Sequence, residues 1–152
     1  MVEGQAWAVY GFAISYAHTL EQRYLDAAKR VAHYFLANVS LTGFLPLCDF
    51  RAPEKPVYYD STAGACAECG LLEIAKHVPE MEKRIYEQGA VCLLKAMEAK
   101  FCNWKEDEDG ILGGGKVACH EQERPHQVPV IYGDYFFTEA ILRLMEKDFF
   151  IW

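Results

Sequence analysis

The chain has 152 residues, 52% of them hydrophobic and 14% aromatic, and a formal net charge of -7. That is enough apolar material for one folded domain over residues 1–152, and too much for a disordered chain. The acidic balance excludes a nucleic-acid partner, because holding phosphates takes clustered Lys and Arg.

The longest apolar run, residues 6–17, contains Gly11 and Ser15 and is too short to cross a bilayer, so no membrane partner is expected. Met1-Val2-Glu3 lacks the basic start and apolar core of a signal peptide. Six cysteines, most of them inside helical apolar patterns, are few for a disulfide scaffold and read as reduced thiols in a bacterial-type cytoplasm.

In chain order, the first helix is predicted over about 4–18 and is apolar nearly all round, the pattern of a helix buried on every side. The second, about 21–38, has one stripe of Tyr24, Leu25, Ala28, Val31, Ala32, Phe35, Leu36 and Val39, and charged residues elsewhere. A connection with Pro46, Pro53 and Pro56 follows. Asp60-Ser61 offers an N-cap for a third helix, rich in small residues, to about Lys76. Pro79 opens a fourth, amphipathic helix to about Phe101. After a long connection from Cys102 to Gly133, a fifth helix is predicted from Asp134, and the apolar tail Phe149–Trp152 is expected to dock.

Gly11–Val31 can be laid over Gly70–Val91 with one extra residue, matching Gly11 to Gly70, His18 to His77 and Glu21 to Glu80. Each unit is an inner helix, a short turn and an outer amphipathic helix. Such hairpins stack because one alone cannot bury its apolar face. The chain therefore reads as all-α, part of an α/α toroid or solenoid.

If the inner helices run parallel, their first turns meet at one end. Those turns hold Gln5 and Trp7, then Asp60, Ser61 and Thr62, then Tyr132, Asp134 and Tyr135. Helix N-termini concentrate free N–H groups and positive potential, which suits a carboxylated ligand. An indole can stack on a pyranose ring while an amide binds its hydroxyls. The competing reading makes Trp7 a core aromatic, Gln5 a solvated first-turn residue, and Asp60 and Asp134 plain caps.

Other patterns fail on their own chemistry. Gly110–Lys116 nearly spells a phosphate loop, but Val117 replaces the hydroxyl residue and the acidic run Glu106–Asp109 precedes it. Read as a calcium loop, the same region starts on Lys105 and closes on Lys116, neither of them a ligand. Cys66-Ala67-Glu68-Cys69 has zinc or redox spacing without a second ligand pair, and reads as two buried thiols. Cys119, His120 and His126 lie in a loop and bind a metal only if the loop folds around one. No metal or cofactor is expected.

Three segments together resemble family 88 of the glycoside hydrolases, the unsaturated glucuronyl hydrolases. They are Gly4–Phe12, then Asp60–Ala63 with Gly70–Glu73, and finally Val130–Ala140. The resemblance implies the C-terminal part of an (α/α)6 barrel, incomplete here because five helices are recognisable where the closed barrel needs twelve. It also implies an enzyme that removes a 4,5-unsaturated uronic acid from lyase-generated, glycosaminoglycan-type oligosaccharides by hydrating the double bond, with Asp as acid and base. On that pattern Trp7 stacks at the sugar and Gln5 lies in the same motif; Asp60, Tyr132 and Asp134 are further substrate-binding candidates. The family's catalytic Asp residues precede the Gly-Gln-Ala-Trp motif, so none is assigned in this chain, which is expected to be inactive alone. A non-catalytic sugar-binding or structural helical-repeat module is the alternative. Glu3 stands where the family motif has Arg, and His126-Gln127-Val128 where it often has Val-Asp-Val. The open barrel edge predicts self-association.

Overall fold

The computed structural model describes residues 1–51, 55–116 and 126–147. Its helices are α1 (Val2–Thr19), α2 (Gln22–Ser40), α3 (Ser61–His77), α4 (Glu80–Phe101) and α5 (Ile131–Leu144). Two short antiparallel strands, β1 (Gly115–Lys116) and β2 (His126–Val128), lie in the connection before α5. The sequence reading finds all five helices but starts α5 three residues late and misses the strands. The tail Phe149–Trp152 lies outside the described residues, as do Val117, Cys119 and His120.

Side-chain character sets the layers. Every residue of α3 from Ser61 to Ala75 is buried, which its Ala, Gly and Cys positions allow by letting neighbouring helices come close. α1, α4 and α5 all pack on it. Gly70 is the tightest point: a Cβ there would lie 2.7 Å from the Tyr10 backbone nitrogen and 2.8 Å from its Cα. α2 buries Leu25, Ala28, Ala32, Phe35 and Val39, most of the predicted stripe, and α4 buries Tyr86, Gly89, Ala90, Leu93 and Met97. The outer pair α2 and α4 is joined where Tyr86 Oη and His33 Nε2 hydrogen-bond at 2.9 Å.

The inner helices α1, α3 and α5 run parallel, because their contacts rise together in number. Trp7 meets Phe136 and Tyr10 meets Glu139; Cys69 reaches Phe136 and Glu73 reaches Arg143. The architecture is part of an (α/α)6 barrel: three inner helices in a row backed by α2 and α4. No described helix is long and apolar enough to cross a membrane.

Candidate functional site

The shared N-terminal end of the three inner helices is where the sequence places its candidates. Asp60 caps α3, with its Oδ1 accepting from the Ala63 N–H at 3.1 Å. The residue is buried, and burial pushes its carboxyl up to about 6. The Ala63 hydrogen bond opposes that rise, and the charge of Glu3 adds to it. Asp134 does not cap its own helix, since Val130 holds the N-cap position of α5. The Asp134 Oδ1 instead accepts from the backbone N–H groups of Ile111 at 3.1 Å and Leu112 at 2.7 Å. It pins the preceding connection across the helix end.

That connection contains the glycine run. Ser61 donates from its backbone to Gly114 O and from its hydroxyl to Gly113 O at 2.6 Å. Gly114 has φ 75°, and a Cβ there would run into the Phe101 ring. The glycines thus let a loop fold flat over the start of α3, a packing task and not phosphate binding.

Trp7 lies on the α5 side of α1. It makes an edge-to-face contact with Phe136, centroids 5.3 Å apart, yet stays 44% exposed. Phe136 is two residues from Asp134, so the indole sits near the end of the inner row that holds residues 60 and 134. Tyr132, one turn before Phe136, is 60% exposed. Gln5 is not beside Trp7. Successive helical residues turn by about 100°, so two residues apart they leave α1 on nearly opposite sides. Gln5 Oε1 and Thr62 Oγ1 are both buried without a hydrogen-bond partner among the described residues.

Deeper between the helices lies a charged network that sequence reasoning missed. Tyr10 Oη donates to Glu139 Oε1 at 2.9 Å, and Arg143 Nε donates to the same oxygen at 2.8 Å. Arg143 also reaches Glu73, which pairs with His77 and Lys76. Burial pushes Glu73 up, but His77, Lys76 and Arg143 together hold it below the usual carboxylate range. Burial likewise opposes the charge of Arg143, and the two glutamates more than offset it. The one signal in the sequence was Glu139 and Arg143 at helical spacing within an apolar helix.

Glu68 contrasts with this network. It is wholly buried, neither oxygen has a hydrogen-bond partner among the described residues, and burial holds its carboxyl well above the ordinary range. Cys66 and Cys69 are buried free thiols, and Cys69 Sγ donates to Phe136 O at 3.2 Å. Both are core residues, as their spacing inside a small-residue helix suggested.

No protein-family profile matches the chain. An unsaturated glucuronyl hydrolase from Bacillus sp. (strain GL1) is 35% identical over 145 residues, covering 93% of this chain and 38% of that protein. Its crystal structure superposes with a TM-score of 0.84. The chain is related to the unsaturated glucuronyl hydrolases. An unsaturated chondroitin disaccharide hydrolase from Streptococcus pneumoniae is 28% identical, covering 98% of this chain and 38% of that protein. An unsaturated glucuronyl hydrolase from Streptococcus agalactiae, determined with dGlcA-GalNAc6S, shares the fold at TM-score 0.89 and 24% identity. It is matched over 99% of this chain and 41% of its own. The chain therefore spans well under half the length of these hydrolases, and the resemblance carried by its three motifs is met across nearly all of it.

Proposed function

We propose that Trp7 and Tyr132, at the end where three helix N-termini converge, form one wall of a pocket for the unsaturated uronyl end of lyase-generated, glycosaminoglycan-type oligosaccharides. In a complete barrel this pocket serves the release of 4,5-unsaturated uronic acid by hydration of its double bond. The observation that carries the reading is the half-exposed indole edged against Phe136 on a chain related to hydrolases of this kind. An aromatic face at a mouth of positive helix potential suits a planar, carboxylated sugar. Gln5 belongs to the same motif but leaves α1 on the side away from this wall.

Alone, the chain binds without catalysing. The two candidate acids are occupied: Asp60 holds its own helix and Asp134 holds two loop amides. Cys66 and Cys69, buried as thiols in the core of α3, fit a reducing cytoplasm. The open flanks of α1 and α5 bring chains together.

Titration with an unsaturated chondroitin disaccharide, followed by indole fluorescence and calorimetry, tests the pocket. Wild type is expected to bind and Trp7→Ala to bind about tenfold more weakly, the scale of one aromatic contact. Equal binding by the two proteins refutes the reading. Loss of the double-bond absorbance with the chain alone would refute the claim that it lacks the acid and base.

A further inference from the structure

Little in α1 itself fixes the plane of the Trp7 indole. The indole makes no hydrogen bond among the described residues, and the residue is 44% exposed. Its one ring partner among them is Phe136, edge to face at 5.3 Å and 81°. A half-exposed ring hinged at two torsions takes its orientation from the rigid group it touches.

Phe136 is fixed where Trp7 is not. It is buried, and its ring packs edge to face with Tyr10 at 5.5 Å and with Tyr135 at 5.1 Å. Its carbonyl accepts from Cys69 Sγ at 3.2 Å, which ties the residue to the middle of α3. Tyr10 is anchored in turn through its hydroxyl on Glu139, and Glu139 on Arg143. A line of contacts thus runs from the buried ion network to the candidate pocket: Arg143, Glu139, Tyr10, Phe136, Trp7. Of these, Trp7 is the one well exposed to solvent.

We infer that Phe136 is a positioning residue for the uronyl-binding indole, fixing its plane for stacking on the sugar without itself touching the ligand. The inference rests on the pocket proposed above. A ring already set in its bound orientation binds more tightly than a mobile one, because its torsional freedom is lost before the ligand arrives. Phe137 supplies a matched control. It is the next residue of α5 and as deeply buried as Phe136, but makes no ring contact with Trp7 among the described residues.

Titration of an unsaturated chondroitin disaccharide into wild type, Phe136→Leu, Phe137→Leu and Trp7→Ala tests this. Fluorotryptophan labelling follows the Trp7 ring by a fluorine resonance, identified by its loss in Trp7→Ala. Wild type is expected to show one ordered Trp7 signal. Phe136→Leu should move that signal towards the free amino acid and weaken binding about three- to tenfold, the scale of one aromatic pair. Phe137→Leu removes the same ring from the same helix and should leave both as in wild type. Equal losses in the two leucine variants would mean a general loosening of the core and overturn the inference. So would a wild-type Trp7 ring that already moves as freely as an exposed tryptophan, a result that needs no variant to fold. A wild type that does not bind, or a Trp7→Ala that binds as well as wild type, refutes the pocket and the inference with it. Weakened binding by Trp7→Ala beside an unaffected Phe136→Leu refutes the positioning role alone.

Discussion

Tyr10 Oη and Glu139 Oε1 meet at 2.9 Å across 129 residues of sequence, tying the first helix to the last. Arg143 completes the link by neutralising both Glu139 and Glu73. A buried arginine between two carboxylates cannot be removed cheaply, since Glu139 is left without a cation and Glu73 keeps only Lys76 and His77. Arg143→Met should therefore destabilise the chain by about 3–5 kcal/mol in denaturant unfolding at neutral pH. A loss under about 1 kcal/mol would show that water takes over the cation's role.

Gly70 is a steric requirement and not a helix defect. Alanine ordinarily favours a helix by roughly 1 kcal/mol over glycine. Here the added methyl meets the α1 backbone at 2.7 Å, and a backbone cannot swing aside as a side-chain tip can. Gly70→Ala should cost about 1–3 kcal/mol, while Gly11→Ala should be neutral or stabilising. Thermal unfolding of the two variants side by side checks the contrast.

Glu68 should be a stability liability. With neither oxygen hydrogen-bonded, it weakens the fold at neutral pH by about 1–3 kcal/mol. Glu68→Met keeps the volume and removes the buried polar group. Its folded pKa is raised, so wild type is least penalised at low pH, and the advantage of the variant should grow as pH rises from about 4. A variant less stable than wild type at pH 7 would mean that Glu68 has a partner outside the described residues.

Asp60 gives a second, separable pH dependence. Its folded value of about 6 exceeds the ordinary aspartate value of 3.8, so between these pH values the folded state holds the proton more often. Stability from this residue is then highest below pH 4, falls through that window and is level above it. The total is on the order of 3 kcal/mol. Asp60→Asn still caps α3 and should be flat across the window. Urea midpoints at pH 4, 5, 6 and 7 would show the two proteins diverging; parallel curves would refute the assignment.

The sequence by itself determined the helices, the two-layer hairpin repeat and the small-residue character of α3. These are local: periodicity, caps and small side chains act within a few residues of one another. It also determined that Trp7 stands at a helix start beside residues of a recognisable motif. Only the tertiary structure decided that Gln5 and Trp7 diverge, that Asp134 fastens a loop instead of its own helix, and that the glycine run closes over α3. Tyr10, Glu73, Glu139 and Arg143 are each unremarkable in their own helices. What makes them a network is the parallel packing of α1, α3 and α5, which brings together side chains 70 to 129 residues apart and removes the water that would otherwise separate them.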